Sequence, residues 1–117
     1  TVFFTGLGAA TTGTALILAA GNEVRPLTST RDVKHDIESM SHEPNLRDLE
    51  IKSFKWDSGN IQDYGLIVEE VAEICPEIVN FKEDKPYSIN WFTLVGLLLN
   101  KVQKLENRIE LLESKMI

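Results

Sequence analysis

From residue 91 to residue 116 the chain carries apolar side chains at alternating intervals of four and three: Trp91, Val95, Leu98, Val102, Leu105, Ile109, Leu112 and Met116. An α-helix repeats every 3.6 residues or so, and an apolar period near 3.5 held over many turns winds its stripe onto a partner helix rather than onto its own domain. The spacing predicts a helix over about residues 90–116, with Asn90 as N-cap and the stripe as a coiled-coil seam. With Val95, Val102 and Ile109 at a positions, Lys101 and Arg108 fall at g, and Glu106 and Glu113 at e five residues later. Such g-to-e pairs attract between chains in a parallel homo-oligomer. β-branched a residues with Leu at d favour two strands, so the seam alone points to a dimer. A single amphipathic helix packed on its own domain is the competing reading.

Upstream the pattern changes twice. Residues 1–28 are rich in Gly, Thr and Ala, with Glu23 and Arg25 as their only charges. Thr14 to Ala20, the turn Gly21-Asn22 and Glu23 to Leu27 suggest two short strands, the tail of a β-structured body. The chain opens at Thr1 in mid-pattern, and the expectation is a fragment from the C-terminal end of a longer protein. At Pro26 to Ser29 charged residues begin, which places a domain boundary between residues 28 and 29. Val33, Ile37 and Met40 at helical spacing predict a short helix from Thr30, capped by Ser29 or Thr30, with Asp32 in its first turn. Residues 51–57 and 61–67 form a hairpin in this reading, around Asp57-Ser58-Gly59-Asn60. Glu69 to Ile74 is helical and stops before Pro76. Ile78–Phe81 and Tyr87–Ile89 are two further strands about the turn Lys82–Pro86. The fold class is α+β: a small helix and hairpin globular domain followed by a long C-terminal helix.

Several function classes drop out. Twelve basic against eighteen acidic residues give a net charge of -6, and since Glu23 and Arg25 cancel, all of it lies beyond residue 28. Nucleic acid is therefore not an expected partner. The longest apolar run, Ala15–Ala20, is far short of the roughly 20 residues that span a bilayer, and no basic segment precedes it, so no membrane partner is expected. The one cysteine, Cys75, cannot form an intrachain disulfide and suits a small buried position. His35 and His42, seven apart and without cysteine neighbours, suit surface or capping roles rather than a metal. Glu69 and Glu70 are adjacent and point apart on a helix, and Gly6-Leu7-Gly8 lacks the rest of a phosphate-binding fingerprint. No cofactor is expected.

Ser29 and Lys34 remain. Their spacing alone says little, but their chemistry is coherent. A lysine can act as base for a serine when burial lowers its pKa from about 10.4 toward neutrality. Five residues of regular helix set side chains about 140° apart, so Ser29 is expected in an extended lead-in, folded back over the first turn. Helix N-terminal amides would then stabilise an oxyanion.

At STRDVKHDI (Ser29–Ile37) the sequence resembles the start of the C-terminal intramolecular chaperone domain of phage tail spikes, tail fibres and neck appendages, the endosialidase type. FKWDSG (54–59) is similar to that family's aromatic strand and turn, GLIVEEVAEICPEIV (65–79) to its central block, and residues 87–113 to its closing strand and helix. The resemblance covers residues 29–113 and leaves out residues 1–28. It implies a Ser29-Lys34 dyad, cis autoproteolysis at Thr28-Ser29, and a parallel trimeric coiled coil in place of the dimer that the seam favours. It further implies a homotrimer partnered with the spike or fibre body of the same polypeptide, assembled in the host cytoplasm, with the mature body in the virion. The family commonly has Arg two residues before the lysine; Asp32 stands there, after Arg31. A non-catalytic homotrimerisation module is one alternative. The same domain in a membrane-bound transcription factor is another, less in keeping with the Gly- and Thr-rich lead-in and with an ending that has no membrane helix.

Overall fold

The computed structural model describes residues 16–19, 23–26 and 28–116, and its contacts divide the chain into two units, Thr1–Met40 and Ser41–Ile117. In the first unit β1 (Leu16–Ala19) pairs antiparallel with β2 (Glu23–Pro26), Ile17 opposite Arg25 and Leu18 opposite Val24. The Gly21-Asn22 turn between them and residues 1–15 lie outside the described residues. After β2 the expected helix from Thr30 through Met40 does not form; Arg31–Val33 make a single 3-10 turn, and irregular backbone follows. Val33, Ile37 and Met40 are all exposed, so no buried face exists to carry the nucleation of so short a helix. Asp36, at φ 53°, also leaves the helical region.

The second unit holds the core. β3 (Lys52–Lys55) and β4 (Gln62–Gly65) form the expected hairpin with shorter strands, Phe54 opposite Asp63. Its turn takes Gly59 and Asn60 through positive φ, where glycine and asparagine are least strained. α1 (Val68–Ile74) follows, with Val68, Val71, Ala72 and Cys75 at the i, i+3, i+4, i+7 spacing of one apolar face. Pro76 ends that helix and opens a 3-10 turn, Pro76–Ile78, which seats Ile78 in the interior. β5 (Val79–Lys82) and β6 (Lys85–Ile89) then pair around Glu83-Asp84, both at positive φ as a two-residue hairpin turn demands. Val71, Cys75, Ile78, Val79 and Leu94 make the core, with Leu46, Leu49, Leu66, Ile89 and Leu97 among the side chains packed around it.

With so few residues fully enclosed, each is felt. Ile78→Ala is expected to destabilise residues 41–117 by about 2 to 5 kcal/mol, read as a lowered midpoint of chemical unfolding.

α2 (Trp91–Lys115) closes the unit. Its start is fixed twice: the Asn90 amide donates to the Ile78 carbonyl at 2.7 Å, and the Asn90 side chain accepts from the Thr93 amide at 3.2 Å. Removing that cap by Asn90→Ala is expected to lower stability by about 1 kcal/mol in the same measurement. Among the described residues no helix is long and apolar enough to cross a membrane.

Candidate functional site

Two features predicted from the sequence can be located. In the first unit, Thr28, Ser29 and Thr30 precede the 3-10 turn, Thr30 in extended conformation (φ -70°, ψ 156°), and Lys34 follows it, again extended (φ -131°, ψ 153°). The turn is held by Val33 and Lys34 amides donating to the Thr30 and Arg31 carbonyls. Reversing the chain in this way brings the two ends of the segment side by side, and Lys34 Nζ lies 2.6 Å from Ser29 Oγ as a hydrogen-bond donor. That separation is within reach for proton transfer between an amine and a hydroxyl. Thr28, Ser29 and Lys34 are all exposed, so the peptide bond before Ser29 stands open to solvent. A helix N-terminus with several amides for an oxyanion is not built here, because the helix it would belong to is one 3-10 turn.

In the second unit α2 presents two adjacent stripes. Leu94 and Leu97 pack on the core, and Lys101 and Lys104 continue their line with half-covered stems. The neighbouring stripe is the predicted seam, and all of it stays exposed in the single chain: Val95, Leu98, Val102, Leu105, Ile109, Leu112 and Met116 range from 43% at Leu105 to 85% at Met116. Leu99 and Phe92 widen the bare apolar band to one side. This arrangement rules out the reading in which a single amphipathic helix buries its seam on its own domain. A contiguous apolar strip of this length on a helix is the kind of surface that marks a protein contact.

Charges flank the strip unevenly. Glu43 reaches α2 and accepts from Lys101 Nζ at 3.3 Å, with Lys104 Nζ at 3.8 Å. The hydrogen bond from Lys101, and then the charge of Lys104, hold the Glu43 carboxyl below its ordinary range. Leu46 and Arg47, from the irregular segment ahead of β3, line an open groove with Leu98, Lys101, Leu105 and Arg108. Nothing in the residue pattern signals this groove, because residues 43–47 are aperiodic and reach the helix only through the fold. Elsewhere His42 pairs with Glu77 at 3.0 Å, and His35 is exposed. Glu70 meets Lys52 at 3.5 Å, while Glu69 is exposed. Cys75 is sealed in the core, where burial raises its thiol pKa. Among the described residues no group of three or more His, Cys, Asp and Glu is placed to hold a metal.

Residues 29–80 match the model of a peptidase-class family described as chaperone of endosialidase. The match begins at Ser29, spans Lys34, both hairpin strands β3 and β4, and α1, and ends before α2. No curated protein and no solved structure matches the chain.

Proposed function

We propose, from the match of residues 29–80 to the chaperone-of-endosialidase family, a self-cleaving intramolecular chaperone that trimerises and folds a phage tail spike, tail fibre or neck appendage. The observation that carries the catalytic half is the 2.6 Å contact between Lys34 Nζ and Ser29 Oγ beside an exposed Thr28-Ser29 bond. The uncovered seam of α2 supports the assembly half.

In the cleavage step, Ser29 Oγ attacks the Thr28 carbonyl carbon while neutral Lys34 takes the hydroxyl proton. The Thr28 C to Ser29 N bond breaks, the proton passes to the leaving amine, and the Thr28 acyl group is left as an ester on Ser29. Water then hydrolyses that ester and frees Ser29 as a new chain start. A lysine in water is protonated at neutral pH and desolvation favours its neutral form. Both partners being exposed in the single chain, cover supplied on assembly would switch the base on. Joining three seams raises the effective concentration of the attached bodies for one another, and cleavage afterwards removes the route back. Assembly would take place in the host cytoplasm, with the released body going to the virion.

The exposure of Ser29 and Lys34 equally favours a second reading, a permanent trimerisation module in which this contact is incidental. Intact-mass analysis of the freshly expressed full chain separates the two. A fragment starting at Ser29 supports the protease; a whole chain in a solution confirmed as trimeric leaves only the module.

A further inference from the structure

The groove beside α2 keeps an excess of positive charge beyond what its own chain pairs. Arg47, Lys101, Lys104 and Arg108 gather along one flank of the seam, with Glu43 as the carboxylate paired to two of them, in a chain of net charge -6. The opposite flank of the same helix carries Leu99, Glu106 and Glu113, at seven-residue spacing. The groove side repeats the same order: Leu94, Lys101 and Arg108, also seven apart.

We infer that this groove is the seat for the acidic flank of α2 from a second copy of the chain, so that each globular domain, and not the helices alone, grips its neighbour. The inference rests on the oligomeric reading above and specifies its contacts. In parallel register each groove residue meets the position five residues later on the partner. Leu94 lines an apolar recess with Leu46, Leu49, Ile51, Leu66 and Leu98, which would take Leu99 of the second copy. Next along the groove, Arg47 and Lys101 would face its Glu106, and Arg108 its Glu113. The match of apolar, then charged, then charged residues at three positions, two steps of about 10 Å, fixes register, which a uniform apolar seam leaves open to slippage by whole heptads. In the trimer proposed above the contact is heterologous, each copy using its groove toward one neighbour and its acidic flank toward the other, and it closes when the ring is complete. Arg47 is the decisive residue, since it stands outside the helix and has no place in a coiled coil alone.

The test uses the full chain carrying Ser29→Ala, with molecular mass followed by light scattering on dilution. Arg47→Glu is expected to weaken assembly about tenfold or more, as is Glu106→Arg, and the chain carrying both changes is expected to regain most of the loss. Arg47 is exposed, so far-UV circular dichroism should be unaltered before dilution. Assembly of Arg47→Glu at the unaltered strength, or a double variant no better than the single ones, would overturn the groove while leaving the seam in place. A parent chain that is monomeric at every concentration would overturn the oligomeric reading itself.

Discussion

Ser29→Ala is expected to leave the full chain at its intact mass under conditions in which the proposed cleavage would release, from the unaltered chain, a fragment beginning at Ser29. The nucleophile in this mechanism is the hydroxyl of the residue whose own amide is cut, and no other hydroxyl can replace it without moving the cut. The expected effect is loss to the uncatalysed level of peptide hydrolysis. Lys34→Ala keeps the nucleophile and removes the base, and a fall of about a hundred- to ten-thousand-fold is expected, the range that general base catalysis supplies. Lys34→Arg is expected to do no better than alanine, because a guanidinium remains charged and cannot accept the proton. Cleavage that survives Lys34→Ala at the full rate would remove Lys34 from the mechanism and make its hydrogen bond to Ser29 a surface contact.

Val102→Asp and Ile109→Asp are expected to yield monomers. Both side chains are more than half exposed in the single chain, so an aspartate at either position has solvent around it and the core of residues 41–117 is untouched. In an assembled seam the same carboxylate would be desolvated in every copy at once, with no partner to offset it. Assembly weakened by about a hundredfold or more is expected at micromolar concentration, seen by light scattering. Helix content should fall with it, since the part of α2 beyond the globular domain has no other packing, and isolated helices of this length are marginal in water. If cover for Lys34 comes with assembly, these variants also stay uncleaved. Monomers that cleave at the unaltered rate would separate the chemistry from the assembly.

What the sequence disclosed follows from the range of the interactions. Local chemistry was legible: Pro76 stops α1, Asn90 caps α2, and the Asp57 to Asn60 turn joins β3 to β4. The heptad stripe foretold the helix, and the stripe is exposed in the single chain as a seam kept for a partner would be. The failure lay at Thr30 to Met40, where Val33, Ile37 and Met40 imitate a helical face that nothing packs against. Periodicity predicts a helix only when the fold offers a surface for it. The meeting of Ser29 and Lys34 was expected from folding back over a helical turn; the structure achieves it with the 3-10 turn alone. Glu43 and Arg47 were not legible, because their positions beside α2 come from contacts more than fifty residues away in the chain.

The sealed position of Cys75 has a consequence for how failed chains behave. It is the chain's one sulfur nucleophile, it is wholly enclosed between α1 and the Pro76 turn, and burial disfavours its thiolate. Folded copies that meet therefore offer one another no thiol. A covalent, oxidant-driven crosslink between two copies can form only once both cores have opened. Any disulfide-linked pair would thus be a record of chains that met while their cores were open.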